Sequence, residues 1–233
     1  MISDRNKRLI KEFGIINKED RYRVRKFHSG ELDFIIDIGA NIGIFSAMMR
    51  FLHPNSKIVA VEPYKESLKY LKPNMEMLEV EVCEYAFGDG RKFIEDTNPG
   101  RNSLLAKTFL KSKDNTGIES FGLKDIFDRY NLSIRDSFLL KFDCEGGEQY
   151  MIGDMYAENI ISQSVQTSLE IHFQSPGTPF DFWPKYEDYN NWIRDKFAST
   201  HNIDYYCSKR NDGYGHYCIL RKDFYEKSTC NGI

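Results

Sequence analysis

The sequence predicts an α/β protein built on a doubly wound, mostly parallel sheet with an antiparallel C-terminal hairpin. Three observations lead there. Short continuous apolar runs, "LDFIID" from Leu32 and "SFLLKF" from Ser137, have the length and composition of strands covered on both faces. Segments with apolar residues at helical spacing alternate with them, which is the pattern of parallel strands joined by helical crossovers. The chain closes on "IDYYCSKR" and "GHYCILRKD", parted by the hairpin signal "NDGYG".

In chain order, "SDRNKRLIKEFGI" opens with a capping Ser3 and spaces Leu9, Ile10 and Phe13 as a helix does, so a leading helix is expected. "DRYRVRKFHSGEL" alternates Arg21, Arg23 and Arg25 with Tyr22 and Val24, and reads as a short strand or an extended entry segment. Residues 1–30 therefore form a helical or extended cap ahead of one continuous domain, 31–233. The first strand passes into a helix over "NIGIFSAMMRFL", ending near His53 and Pro54. "KIVAVEP" is a second strand stopped by Pro63, and its helix, "YKESLKYLKPNMEML", is expected to break around Pro73. "VEVCEYAFGDG" is a third strand running into a glycine-rich turn, and residues 96–117 form a long polar loop. "LKDIFDRYN" is an amphipathic helix. The fourth strand, "SFLLKFDCEGG", feeds a helix over "EQYMIGDMYAENI", and the fifth, "VQTSLEIHF", precedes a helix from Tyr186 to Ser199.

Composition bounds the function. At 233 residues, with 17 Phe and 14 Tyr, the chain has ample material for one core. A net charge of −3 gives no electrostatic footprint for a nucleic-acid partner. No apolar run approaches the roughly 20 residues of a membrane span, and "MISDRNKRLIKEF" has no apolar stretch of signal-peptide type. Cys83, Cys144, Cys207, Cys218 and Cys230 are dispersed and odd in number, which suits reduced thiols in a cytoplasm. Cys207 and Cys218 are expected as hairpin neighbours without a disulfide.

In open α/β sheets, ligands bind at the carboxyl ends of strands where the winding reverses. Gly39 and Gly43, after the first strand, permit a tight turn and a close ligand approach. Glu62 ends the second strand, 25 positions beyond Asp37, close to where an acid holding a ribose diol is expected. A dinucleotide fingerprint needs G-x-G-x-x-G; here the glycines lie four apart, with Asn41 between them and Ser46 three beyond. The phosphate cradle is poorly formed, so an adenosine without phosphate, S-adenosylmethionine, fits better than a nicotinamide dinucleotide. The bland alternative is that both glycines serve only a turn and Glu62 is solvated.

These residues resemble the FkbM-type family of S-adenosylmethionine-dependent methyltransferases. "DIGANIGIFS" (37–46), "VEPYKESLKYLKPN" (61–74), "EYAFGDG" (84–90), "LLKFDCEGGEQYMI" (139–152) and "LEIH" (169–172) are similar to its motifs, in order. The family block more often has Ala where Gly147 stands and an aliphatic residue at Cys144. The resemblance implies a Rossmann-like, seven-stranded class I methyltransferase fold with the last strand inserted antiparallel, and O-methylation of a sugar or other small molecule.

On that resemblance, Asp37, Gly39, Asn41 and Gly43 wrap the methionine half of the cofactor. Glu62 accepts the ribose hydroxyls, Pro63 and Tyr64 flank the adenine, and Ala86 and Phe87 close its other side. Asp143, Glu145, Glu170 and His172 are the candidates for deprotonating an acceptor hydroxyl, Asp143 doubling as a cofactor ligand. A buried ion pair between Lys141 and a carboxylate is the alternative use of Asp143. Carboxylates on neighbouring strand ends also offer oxygen donors for Mg2+, but no compact ligand pattern marks a metal site. Cys144 reads as a small packing residue rather than a nucleophile. Arg101, Asn102 and Ser103, in the long loop, are candidates to grip the acceptor, a solvated loop being the alternative. Arg21 to Lys26 reads as a wet face or a lid, and the aromatic run "FDFWPKYEDYNNW" as helix packing or a substrate wall. The competing functional classes are an NAD(P)-dependent oxidoreductase and a non-enzymatic nucleoside-binding module. The acceptor and the oligomeric state are not written in the sequence.

Overall fold

The computed structural model describes residues 20, 22–24, 31–90, 93–95, 109–111, 117–173, 184–206 and 214–223. The expected leading helix, the Arg101–Asn102–Ser103 trio, Cys207, Cys230 and most of the "NDGYG" turn lie outside them.

From the start of the domain the strands are β1 (Phe34–Ile38), β2 (Lys57–Val61), β3 (Glu81–Cys83), β4 (Ala86–Phe87), β5 (Phe93–Glu95), β6 (Phe109–Lys111) and β7 (Ser120–Phe121). They continue as β8 (Phe138–Phe142), β9 (Gln166–His172), β10 (His201–Tyr206) and β11 (Tyr214–Arg221). The helices are α1 (Ile44–Leu52), α2 (Lys65–Glu76), α3 (Leu123–Tyr130), α4 (Met155–Gln163) and α5 (Tyr186–Phe197), with one 3₁₀ turn, Gly147–Met151. Seven strands form the main sheet in the order β10-β11-β9-β8-β1-β2-β3. All neighbours are parallel except β11, which is antiparallel to both β9 and β10. The doubly wound sheet with a reversed terminal strand is therefore observed as expected.

Strand periodicity sorts the core onto two faces. Phe34, Ile36, Ile38, Phe138, Leu140 and Phe142 point to the face covered by α3, α4 and α5. Ile35, Ile58, Ala60 and Leu139 point to the face covered by Phe45, Met48 and Met49 of α1 and Leu68, Leu71 and Met75 of α2. Every residue of β1 and β8 is buried, which is why both strands read as apolar runs broken only by Asp37 and Lys141.

Five expectations are corrected. α2 runs through Pro73 to Glu76, because Pro73 sits near its end and burial of Met75 against α1's entry holds the last turn. "VEVCEYAFGDG" divides: β3 stays in the main sheet, while β4 leaves it to pair in parallel with β7. Within the expected long loop, β6 pairs antiparallel with β5, which lies just ahead of it. The single helix over "EQYMIGDMYAENI" is a 3₁₀ turn and a separate α4, parted by left-handed Gly153 (φ 78°), after which Asp154 caps α4 by accepting the Tyr156 N–H at 2.9 Å. At residues 22–24 the chain forms a turn, not a strand, with Tyr22 and Val24 buried. No helix among the described residues is long and apolar enough to cross a membrane.

Candidate active site

The carboxyl ends of β2, β1, β8 and β9 lie side by side, so the acids that end them converge by topology alone. Between β1 and α1 the chain turns through three left-handed residues, Gly39 (φ 79°), Asn41 (φ 52°) and Gly43 (φ 90°). A Cβ on Gly39 would lie 1.7 Å from the Asp143 carbonyl oxygen, and one on Gly43 would lie 2.5 Å from Met75 Cε. Gly39 is thus demanded by backbone packing as well as by the turn, and Gly43 by the turn, since its near neighbours are the ends of flexible side chains.

That turn is tied to the second strand by a carboxylate. Glu62 Oε2 accepts the Asn41 N–H and Oε1 accepts the Tyr64 N–H, each at 2.8 Å. The side chain is nearly buried, and burial pushes its carboxyl up to about 7 against the opposing pull of the Tyr64 and Asn41 N–H groups and the Lys141 charge. Pro63 and Tyr64 are half-buried beside it. Ala86 and Phe87 are buried on β4, and the Phe87 ring packs edge-on to Phe142 at 5.3 Å, as part of the core.

Beneath the turn, Asp37 has no exposed surface. Its Oδ2 accepts the Ser46 hydroxyl at 2.6 Å, and its Oδ1 lies 3.0 Å from Lys141 Nζ, which also donates to the Gly39 carbonyl at 2.8 Å. Asp37 therefore braces the loop from below. Burial alone would lower the Lys141 pKa; the Asp37 and Asp143 charges outweigh it and leave it raised. The expected Lys141–carboxylate pair exists, made chiefly with Asp37, with Asp143 Oδ2 at 4.0 Å.

At the end of β8, the Asp143 N–H continues the ladder by donating to the Ile38 carbonyl at 3.0 Å, and Asp143 Oδ2 accepts the Tyr22 hydroxyl at 2.7 Å. The chain then turns through left-handed Glu145 (φ 55°) and Gly146 (φ 101°). Fully buried Glu148 holds this turn, its Oε1 accepting the Cys144 N–H at 2.8 Å and its Oε2 the Gly146 N–H at 2.9 Å. His172 lies between two acids, Nδ1 3.4 Å from Glu148 Oε1 and Nε2 3.4 Å from Glu145 Oε2. Burial would lower its pKa, but Glu145, Glu148 and Glu170 together raise it well above the ordinary histidine value. Glu170 Oε2 lies 3.7 Å from Nδ1 of His216, its partner in the β9–β11 register. Burial and the Glu148 charge push the Cys144 thiol well up, which suits the packing role rather than nucleophilic chemistry. A Cβ on Gly147 would come within 2.8 Å of Cys144 Sγ and 3.1 Å of the Phe87 carbonyl oxygen.

The fold brings Asp37, Gly39, Asn41, Gly43 and Glu62 together on one side and Asp143, Glu145, Glu170 and His172 on the other, with Lys141 between. Donor atoms of Asp143, Glu170 and His172 all lie within 4.8 Å of one another, a spacing open to a cation. Three participants were not singled out from the sequence. Tyr22 is 121 residues from its partner Asp143, and His216 meets Glu170 only through strand register. Glu148 did carry a signal, an acid placed to cap the turn formed by two glycines.

A family model described as the methyltransferase FkbM domain matches residues 37–205. Among solved structures, the chain is similar to methyltransferase FkbM from Methylobacillus flagellatus KT, at 15% identity and a TM-score of 0.52, over 85% of this chain and 46% of that one. The present chain thus spans under half of that protein's length. A putative rRNA methylase from Clostridium thermocellum superposes with a TM-score of 0.53 at 10% identity, over 88% of this chain and 94% of the other. At such identities these two likenesses speak for the fold alone. No curated protein matches the chain.

Proposed function

The chain belongs to the methyltransferase FkbM domain family, and from that premise we propose that it is an S-adenosylmethionine-dependent O-methyltransferase whose acceptor is a hydroxyl of a sugar or another small metabolite. The observation that carries the reading is Glu62: a nearly buried carboxylate at a strand tip, already aimed by two N–H groups, with its carboxyl pushed to about 7. Such a group is stabilised by ligand hydroxyls, and a ribose diol offers two of them on adjacent carbons.

The cofactor supplies a methyl group on a positively charged sulfur. Glu62 accepts its ribose hydroxyls, the backbone of residues 39–43 wraps the neighbouring tail, and Asp143 faces the tail's ammonium. Pro63, Tyr64 and Ala86 border the adenine; Phe87 contributes from the core side. Lys141, paired with Asp37, fixes the loop from beneath and keeps the strand tips in register. Most of the acceleration comes from holding the acceptor oxygen in line with the methyl. Within the set Asp143, Glu145, Glu170 and His172, Glu145 takes the proton released by the acceptor hydroxyl. It is the partly exposed member of the Glu145–His172 pair, on a left-handed backbone that only surrounding structure sustains. His172, its Nε2 3.4 Å from Glu145 Oε2, orients Glu145. Arg101, Asn102 and Ser103 remain candidates for acceptor contact. No step is assigned to a divalent cation, because both ring nitrogens of His172 already face Glu145 and Glu148 at 3.4 Å.

Thermal-shift measurements with S-adenosylhomocysteine, NAD, NADP and ATP test the cofactor assignment, since a ligand of the native state raises the melting temperature. A shift with S-adenosylhomocysteine alone is expected; a shift with NAD instead would transfer the case to the oxidoreductase class. Mass spectrometry for a methylene's gain in mass across hydroxylated sugars, amines and carboxylates then tests the acceptor class, and methylation confined to amines would overturn it.

A further inference from the structure

We propose that Tyr22 is a positioning residue of the transfer site, acting through Asp143, and that the segment ahead of the domain thereby completes the cofactor cleft. The inference rests on the methyltransferase reading above. Tyr22 is anchored three ways that do not involve its hydroxyl. Its carbonyl accepts from Gln166 Nε2 at 2.9 Å and from Ser168 Oγ at 2.7 Å, both on β9. Its ring stands edge-on to Phe45 with centroids 5.2 Å apart. The same ring lies 5.3 Å from Lys141 Nζ.

With the ring so placed, the hydroxyl is carried to Asp143 Oδ2 at 2.7 Å, the oxygen that Lys141 Nζ also faces at 4.0 Å. Two partners acting on one oxygen fix the rotation of the carboxylate plane, and with it the direction of Oδ1. A hydrogen bond to a charged acceptor is strong enough to set that rotation. The turn that delivers Tyr22 is held in a costly shape: Asp20 (φ 44°) and Arg23 (φ 57°) are both left-handed, and the Arg23 Nε–Asp204 Oδ2 ion pair at 3.1 Å pins the second. If the segment served only to cover the sheet, the carbonyl and ring contacts would suffice, and no hydroxyl would be needed at Asp143.

The test is calorimetry on the full chain with two probes, S-adenosylhomocysteine and 5′-methylthioadenosine, which keeps the nucleoside but lacks the amino-acid tail. Tyr22→Phe preserves ring and carbonyl and removes the hydroxyl alone. It is expected to weaken S-adenosylhomocysteine binding about fivefold to tenfold, to leave methylthioadenosine within about twofold, and to lose its effect in an Asp143→Asn background. Equal losses for both probes, a loss that persists beside Asp143→Asn, or no loss would overturn the proposal. So would a Tyr22→Phe chain without a cooperative melt, since the hydroxyl would then be structural. If the unaltered protein bound neither probe, the methyltransferase reading itself would fall, an outcome distinct from a wild-type chain that binds both while Tyr22→Phe behaves like it.

Discussion

Cofactor affinity should depend on pH through one residue. In the ligand-free protein the Glu62 carboxyl titrates at about 7, raised by burial from 4.5. Ribose hydroxyls donate to the ionised form, so binding selects the carboxylate and expels a proton wherever the free protein holds one. At pH 8 Glu62 is mostly ionised, whereas at pH 6 roughly one chain in ten is. The apparent dissociation constant for S-adenosylhomocysteine should therefore rise about tenfold between pH 8 and pH 6, about 1.4 kcal/mol, with close to one proton released per ligand at the lower pH. The stability of the ligand-free protein follows the same group with its own sign. The native carboxyl binds its proton more tightly than the unfolded one, so its contribution is present below 4.5 and is lost as pH rises through about 7, a change on the order of 3 kcal/mol. Bound cofactor offsets that loss, so the thermal shift should be larger at pH 8 than at pH 6. Calorimetry in buffers of differing ionisation heat measures both affinity and proton release, with Glu62→Gln as the control that isolates this residue. An affinity flat from pH 6 to pH 8, or a slope retained by Glu62→Gln, would refute the placement of a diol at Glu62.

Gly39→Ala should destabilise the fold by several kcal/mol, because φ is 79° and the new Cβ would overlap the Asp143 carbonyl oxygen at 1.7 Å; urea unfolding reads the cost, and a loss below about 1 kcal/mol would contradict the close approach. Lys141→Met should cost about 3–5 kcal/mol by leaving buried Asp37 uncompensated, and adding Asp37→Asn should recover part of it; equal stability of single and double variants would argue against the pair. His172 has a raised native pKa, so its contribution is full below the ordinary value of 6.5 and fades as pH rises through the higher native one. His172→Gln should accordingly lower the melting temperature more at pH 6 than at pH 10, and a pH-independent loss would show that the ring is neutral.

Several elements could be read in the residues themselves. β1, β2 and β8 are buried almost throughout, so they leave a largely apolar signature that needs no partner to be recognised, whereas β9, just as buried, carries Gln166, Thr167, Ser168, Glu170 and His172. The turn of Gly39 to Gly43 and the acid at Glu62 were legible because backbone chirality and a strand's end restrict which residues stand there. The division of the third strand into β3 and β4, and the pairing of β5 with β6, were not. Two- and three-residue pairs carry too few side chains to show a period.

In the same way, the chain's own order of residues determined that acids would stand at the strand tips, since that depends only on where each apolar run stops. Tertiary structure alone decided which atoms those acids face. Asp37 meets Lys141 because strand alternation turns both toward the α1 face, Glu170 meets His216 because β11 returns antiparallel, and Asp143 meets Tyr22 because the Tyr22 carbonyl is anchored on β9. Such partnerships join residues far apart along the chain. Their energies come from desolvated charge at close range, which no local pattern of residues encodes.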